Sequence, residues 1–194
     1  MTSNVEICNV ALTFLERKRI TSLTDGTTSG NDCNAIFEPT RQSLIRGHDW
    51  NFARSRVKLA RTTDTPVTEF EYEYQLPSDW LRTIVVADND NAIPGVEYRT
   101  EGLTVLASSE DIYLTYLKDI TDPAAMPPDF RQMFSYELAI QLAKTNTDRD
   151  RATELRNTWK NKATSTDSIE DFPKRRPAGT WVAQRFNNKG PLRA

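Results

Sequence analysis

The sequence has few of the residues on which metal and catalytic sites usually depend. Its 194 residues include two cysteines, one histidine and seven glycines. Cys8 and Cys33 cannot form a disulfide framework, so we expect the chain to be kept in a reducing compartment. A zinc site would need an unusual ligand set beside the single histidine, His48. We therefore expect neither a metal nor a disulfide.

Long apolar runs are also missing from the sequence. No segment approaches the roughly 18 consecutive apolar residues that a membrane-spanning helix requires. The N-terminus lacks the basic start followed by an apolar block that marks a signal peptide. We therefore expect a protein without membrane contact.

Two short motifs resemble ligand-binding loops but lack required residues. Residues 26–30 are rich in glycine and threonine, yet asparagine and aspartate follow where a phosphate-binding loop needs lysine and serine or threonine. Residues 88–91 resemble the start of a calcium loop, but Ala92 takes a ligand position and Ile93 replaces the glycine. We predict no cofactor, and we interpret residues 88–91 as a turn.

The candidate acid–base groups favour structural interpretations. His48, Asp49 and Ser55 are the residue types of a catalytic triad, but triads are assembled from distant segments, so adjacency in sequence does not support one. The alternating glutamates of 69–73 share one face of a predicted strand, where like charges repel, and a solvent-facing surface is the simpler interpretation. We predict no catalytic residue and no enzyme. A hydrolase that uses His48 is the least favoured alternative.

The period of the apolar residues changes twice along the chain. Apolar residues recur at helical spacing near both ends and alternate with polar residues in the middle. Ser3 and Glu6 predict a capping box at the first helix, and Pro39 is expected to kink or split the second. The predicted helices are 4–17, 31–46, 127–145 and 148–167, and the predicted strands of an antiparallel meander are 69–76, 81–87, 96–100, 103–106 and 112–120.

These elements predict an α+β fold class that is mainly α. We expect a four-helix bundle interrupted by a small antiparallel β insertion, with an extended C-terminal arm. Five short strands make only a small sheet, and prolines beyond residue 167 discourage a further helix. The bundle is expected to comprise residues 1–50 and 123–167, the β-rich insertion residues 51–122, and the C-terminal arm residues 168–194.

Charge is distributed unevenly between the C-terminal arm and the rest of the chain. Of the 25 basic and 27 acidic residues, six basic and no acidic ones follow Asp171. The first 171 residues thus hold 19 basic and 27 acidic residues, a net charge of −8. A basic segment of this kind is usually a solvated tail or a docking element.

Two aromatic residues distinguish the arm from an ordinary solvated tail. Trp181 and Phe186 lie among basic residues and prolines, where they suit a groove on a partner better than a core of their own. A disordered tail with incidental aromatics is the alternative. The predicted partner-docking residues are Lys174, Arg175, Arg176, Trp181, Arg185 and Phe186.

Seven short blocks occur along residues 4–165. They are Ile7-Cys8-Asn9 with Leu12, Ile20-Thr-Ser-Leu23 with Asp25, Arg46-Gly47 with Trp50-Asn51-Phe52-Ala53, Tyr74-x-Leu76-Pro77 with Asp79, Leu81 and Arg82, Glu101-Gly102-Leu103, Tyr116 with Ile120-Thr-Asp122-Pro123, and Pro127 with Phe130 ahead of Leu138-Ala139. In this order the blocks resemble the tail tubular protein A family, the head-to-tail adaptors of short-tailed bacteriophages.

The resemblance implies a structural virion protein. Members of the family are helical bundles interrupted by a β-rich insertion, so Pro39 inside the second helix departs from the family pattern. They form a ring, a homo-oligomer of twelve copies, between the portal protein and the tail nozzle protein, sometimes with tail fibres attached. Genomic DNA passes through the lumen without specific binding, and no cofactor is involved.

The same resemblance implies where the protein acts. We expect it in the virion tail, at the head–tail interface, and in the host cytoplasm during assembly. The alternative is a non-enzymatic nucleic-acid-binding module that uses the basic C-terminal arm. The charge of that arm lies in a segment of mixed character and not along a folded face, which weakens this alternative.

Overall fold

The structure is a computed structural model that describes residues 3–63, 66, 67, 69–88 and 96–170, without the side chains of 169 and 170. The helices are α1 (Asn4–Phe14), α2 (Thr28–Arg46), α3 (Pro128–Leu142) and α4 (Asn146–Glu170). The strands are β1 (Arg54–Lys58), β2 (Tyr72–Gln75), β3 (Trp80–Ala87), β4 (Tyr98–Glu101), β5 (Thr104–Ala107) and β6 (Tyr113–Lys118), and short 3₁₀ turns cover Asn51–Ala53 and Pro123–Ala125. In this part of the chain, no helix is long and apolar enough to span a membrane.

The capping box predicted for α1 is confirmed. The Ser3 hydroxyl accepts a bond from the Glu6 backbone N–H at 3.2 Å, and the Glu6 carboxylate accepts one from the Ser3 N–H at 2.9 Å. Each side chain thereby satisfies a backbone donor that has no partner inside the helix. The apolar stripe of α1 then packs into a core shared with the other three helices.

Pro39 does not divide α2, which runs from Thr28 to Arg46 as one helix. A proline removes one backbone donor, so the carbonyl four residues earlier, that of Ala35, loses its helical partner. Ala35 and Pro39 are both exposed, and solvent can therefore satisfy this carbonyl. The predicted split of α2 is wrong for this reason.

The strands form two three-stranded antiparallel sheets. Their orders are β1-β6-β3 and β2-β5-β4. In the first sheet Arg54 is opposite Leu117, and in the second a turn with Gly102 at a φ of 58° joins β4 to β5. A positive φ of this kind suits glycine because a side chain would be strained there.

A second core belongs to the strands. It contains nine buried residues, which are Leu59, Tyr74, Leu76, Val86, Val105, Ala107, Ile112, Leu114 and Tyr116. Leu117 points to the opposite face of β6 from Leu114 and Tyr116 and joins the helical core, as the two-residue period of a strand requires. β6 therefore forms a wall between the two cores.

The predicted fold class is wrong in its account of the β part. The structure is α+β, with four helices and two sheets that have a core of their own, and not a four-helix bundle with a small insertion. The predicted meander is wrong because β6 pairs with β1 and β3, and because β5 lies between β2 and β4. A meander pairs neighbours in sequence, whereas most partners here are distant.

Smaller differences concern the ends of the elements. α2 begins three residues before its predicted start, because the Thr27 hydroxyl caps it by accepting a bond from the Gly30 N–H at 3.0 Å. α4 runs to Glu170, so residues 168–170 of the predicted arm belong to this helix. The rest of the arm, residues 171–194, lies outside the described residues.

Candidate functional site

The six predicted docking residues, from Lys174 to Phe186, all lie outside the described residues. The structure does describe the place where the arm begins. There, a cavity of about 100 Å³ opens between the end of α4, the start of α3 and the segment before β1. We call it the exit pocket, and its lining residues are Trp50, Pro127, Pro128, Asp129, Phe130, Ala163, Thr166 and Asp167.

Trp50 forms the apolar floor of the exit pocket. Its side chain is buried, and its indole N–H donates to the Leu44 carbonyl at 3.0 Å. Its ring packs edge-on against Phe130, with centroids 5.2 Å apart, and near Phe52 at 6.0 Å. The indole is thus held by both a hydrogen bond and aromatic packing, which fixes the shape of the pocket floor.

Asp167 joins the last turns of α4 to the segment before β1. Its carboxylate accepts a bond from the Asn51 backbone N–H at 2.9 Å, and its carbonyl accepts one from the Asn51 side chain at 2.8 Å. The His48 Nε2 atom lies 3.7 Å from the other carboxylate oxygen. Since Asp167 is only 8% exposed, these bonds are shielded from water and fix the end of the helix.

A second carboxylate lies on the rim of the exit pocket. Asp129, in the first turn of α3, is 3.2 Å from the Lys162 ammonium group and accepts a bond from the Thr166 hydroxyl at 3.3 Å. An acid in this position also interacts favourably with the helix dipole. The exit pocket therefore combines an apolar interior with an acidic rim.

The structure separates the three residue types of the suspected triad. His48 packs its ring edge-on against Trp50 at 4.5 Å and faces Asp167. Asp49 instead forms an ion pair with Arg82, and Ser55 lies on β1 opposite Tyr116. The sequence neighbours of His48 are therefore not its partners in space.

The acidic row at 69–73 is only partly a strand. β2 begins at Tyr72, so Glu69 and Glu71 precede it, and both are exposed. Glu69 lies 3.3 Å from the Arg99 guanidinium group. Phe70 and Tyr74, which alternate with the glutamates, are buried, whereas Tyr72 and Glu73 are both half-buried, so the alternation predicted for the segment is confirmed only in part.

The two ligand-loop motifs fall at different places. Residues 26–30 form the capped start of α2, where the Asp25 carboxylate accepts bonds from both the N–H and the hydroxyl of Thr27. These hydrogen bonds lower the pKa of Asp25 below its ordinary value. Of residues 88–91, only Asp88 is described. Among the residues described, no group of His, Cys, Asp and Glu side chains could hold a metal ion.

Cys8 and Cys33 are both free and fully buried, and they pack as small residues in the helical core. A hydrogen bond between the two side chains, together with burial, raises the pKa of Cys8 far above its ordinary value. The Cys8 thiol therefore keeps its proton at neutral pH and is a poor nucleophile.

Arg41 was not identified from the sequence, although it is a buried charged residue that forms two ion pairs in the described structure. Arg41 is fully buried on α2 and donates to the carboxylates of Glu38 and Asp119 and, at 2.6 Å, to the Ile120 carbonyl. Burial opposes its charge, but the bonds to Asp119 and Glu38 outweigh burial and raise the pKa of Arg41. A signal was present, because Arg41 follows Phe37 and precedes Ile45 at four-residue spacing on the buried stripe of α2.

The bond from Asp167 to Asn51 can be tested by substitution. We expect Asp167→Ala to lower the free energy of unfolding by about 1–2 kcal/mol, because the part-buried Asn51 backbone N–H loses its acceptor. Asp167→Asn keeps an acceptor and should cost less than about 1 kcal/mol. His48→Ala removes a long contact to Asp167 and the edge-on packing against Trp50, and it should cost about 1 kcal/mol. Urea unfolding followed by circular dichroism measures all three. A larger loss from His48→Ala than from Asp167→Ala would contradict this account.

Comparison with known proteins finds no family model that matches the chain and no curated protein of significant sequence similarity.

Proposed function

We propose that this protein is a structural virion protein, the head-to-tail adaptor that forms a ring between the portal and the tail nozzle and through which genomic DNA passes. One observation carries the proposal. The short blocks that resemble the tail tubular protein A family contact one another in the fold, although they are far apart in sequence.

The first two blocks are joined through Asn9, which is buried in α1. Its side-chain amide donates to the Ile20 carbonyl at 2.9 Å, and its side-chain oxygen accepts from the Ile20 N–H at 2.8 Å. The Asn9 side-chain amide thus pairs with both backbone groups of Ile20, as a residue on a neighbouring β-strand would. It fixes the chain reversal after α1.

The blocks of the β part are joined in the same way. The Leu76 N–H donates to the Leu103 carbonyl at 2.9 Å, which links the segment after β2 to the glycine turn before β5. The Tyr116 hydroxyl donates to the Asp79 carboxylate at 3.0 Å, and the Asp119 N–H donates to the Asp79 carbonyl at 2.7 Å. Asp79 therefore connects two blocks by two separate bonds.

The block around Trp50 meets the one that opens α3, since Trp50 packs against Phe130. Blocks that hold each other in place are suited to be the part of a fold that a family shares, and in this way the contacts support the proposal. The proposal depends on these contacts and not on the predicted bundle, which the structure corrects.

Two further features suit an adaptor. The helical layer and the β part have separate cores, so the protein can present a different surface to each of two partners. The first 171 residues carry a net charge of −8, and DNA binding requires clustered lysine and arginine. A channel lined by such a body would let DNA slide through without holding it.

A ring forms when one face of each copy binds a different face of the next copy. The ring closes when the rotation from one copy to the next is a whole fraction of a full turn. We expect the portal protein to convert the 22.1 kDa chain into a closed ring whose mass is a multiple of the subunit mass. Light scattering with an intrinsic mass measurement, on the chain alone and with portal, reports this change. A complex with only one copy per portal ring would contradict the proposal.

Location in the particle is the second test. Virions carrying the chain with an N-terminal tag should bind gold label at the portal vertex, as seen by electron microscopy. Label at any other place, or absence of the chain from purified virions, would contradict the proposal. The same particles with an untagged chain provide the control for nonspecific label.

A further inference from the structure

The exit pocket is an open apolar cavity beside the point where the chain continues beyond the described residues. Trp50, Phe130 and two prolines supply its apolar wall, and Ala163 closes it from the side of α4. Burial of an aromatic side chain in such a cavity removes from water both the apolar surface of that side chain and the apolar wall of the cavity. The edge-on pair of Trp50 and Phe130 also offers the geometry in which a third ring packs well.

The geometry points to the start of this protein's own arm as the occupant: Phe172 fills the exit pocket, and the basic cluster Lys174, Arg175 and Arg176 lies against its acidic rim. This inference concerns the subunit alone. It does not require the adaptor function proposed above, so either can fail without the other.

Continuity of the chain is the first argument for this occupant. Asp167 lines the pocket, and α4 ends at Glu170, about 4.5 Å further along the helix axis at 1.5 Å per residue. Phe172 follows two residues later, and Pro173 after it discourages continuation of the helix. A tether this short gives Phe172 an effective concentration of millimolar order at the pocket, which favours the chain's own arm over that of a second copy.

Charge is the second argument. Among the described residues, two carboxylates line the pocket against the ammonium group of Lys162: Asp129, whose side chain is 20% exposed, and the more deeply buried Asp167. The arm supplies the complementary pattern in the right order, an aromatic residue followed by three consecutive cations. An aromatic anchor next to basic residues is what an apolar pocket with an acidic rim should recognise.

Such docking would fix the direction in which the arm leaves the subunit. Residues 172–176 would be held against the body, and only the residues from 177 onward would be left to reach a partner. Trp181 and Phe186 would then start from a defined place on the subunit surface. The cost of ordering the arm on a partner would be reduced accordingly.

The first experiment compares two identical substitutions in the full-length chain. We expect Phe172→Ala to raise the unfolding equilibrium constant about tenfold, because it exposes the pocket wall to water again. Phe186→Ala, the matched control in the same arm, should change it less than twofold. Urea unfolding at two protein concentrations measures both variants. Equal effects of the two substitutions would overturn the inference.

The second experiment locates Phe172 directly. The full-length chain carrying Phe172→4-benzoylphenylalanine is irradiated as a mixture of ¹⁵N-labelled and unlabelled copies, and its cross-linked peptides are identified by mass spectrometry. We expect cross-links to residues 127–130 or 163–167 within one chain. Cross-links between labelled and unlabelled chains would assign the pocket to a second copy's arm, and cross-links elsewhere would show that the pocket is not the site. Either result overturns the inference.

Discussion

Arg41→Ala is expected to lower the free energy of unfolding by about 3 kcal/mol. The guanidinium group is fully buried and bonds to two carboxylates and the Ile120 carbonyl. Removal of one member of a buried ion pair typically costs about 3–5 kcal/mol, because the other charge is left without its partner. We expect the lower end of this range, since the side chains of Glu38 and Asp119 are 54% and 19% exposed and can gain water.

A neighbour on the same helix provides the control for Arg41. Gln42 donates to the same Asp119 carboxylate at 3.0 Å but lies at the surface. Gln42→Ala should therefore cost less than about 1 kcal/mol. Urea unfolding at neutral pH compares the two variants. If Arg41→Ala were no more costly than Gln42→Ala, the buried ion pair would not contribute to holding α2 against the end of β6.

Loss of the arm is expected to abolish head–tail assembly. Residues 171–194 could reach about 80 Å when extended, at about 3.3 Å per residue. Exposed ion pairs contribute only about 0–1 kcal/mol each. Burial of Trp181, at about 25 cal/mol per Å² over about 200 Å², would contribute about 5 kcal/mol and is the largest single contribution.

Single substitutions should distinguish arm residues that determine the affinity for a partner from those that determine the association rate. We expect Trp181→Ala to weaken binding to the portal or to a neighbouring subunit about 30-fold or more, as for other buried aromatic anchors. Arg185→Ala should change affinity less than about tenfold and act mainly on the association rate and its salt dependence. Neither variant should shift the thermal midpoint of the isolated subunit, because Trp181 and Arg185 both lie beyond the segment that we place in the exit pocket.

The measurement counts tailed particles by electron microscopy after heads are mixed with each purified chain. A chain ending at Arg176 is the informative truncation, since it keeps Phe172 and the basic cluster but loses Trp181 and Phe186. A chain ending at Asp171 loses all of them. We expect neither to support assembly. Assembly by the chain ending at Arg176 at the level of the full-length protein would show that Trp181 and Phe186 are not anchors.

The helices could be predicted because residues close together in the sequence determine them. The capping box of Ser3 and Glu6 lies within one turn, and the apolar residues that recur at helical spacing in α3 are buried, namely Phe130, Met133, Phe134, Leu138, Ala139 and Leu142. In both cases a pattern of three to four residues determines the outcome. Local caps then set the ends, as the Thr27 hydroxyl does for α2.

The β part could not be predicted to the same extent, because its strands depend on pairing with segments that are far away in the sequence. β1 has charged or polar residues at four of its five positions, with Val57 as the exception, so no apolar alternation marks it. It becomes a strand by pairing with β6. The exit pocket is similar, since Trp50, Phe130 and Asp167 come from three separate segments and no local pattern connects them.

The position of β6 between the two cores determines the order in which this chain can fold. β1 and the helices α1 and α2 emerge from the ribosome long before β6, which pairs with β1. α3, which packs against both helices, is complete only at Leu142. Closing such long loops precedes any gain from the contacts, so proteins of this kind fold slowly. The apolar stripes of α1 and α2 are therefore exposed for most of synthesis, and a chain that stalls before β6 would be a substrate for chaperones.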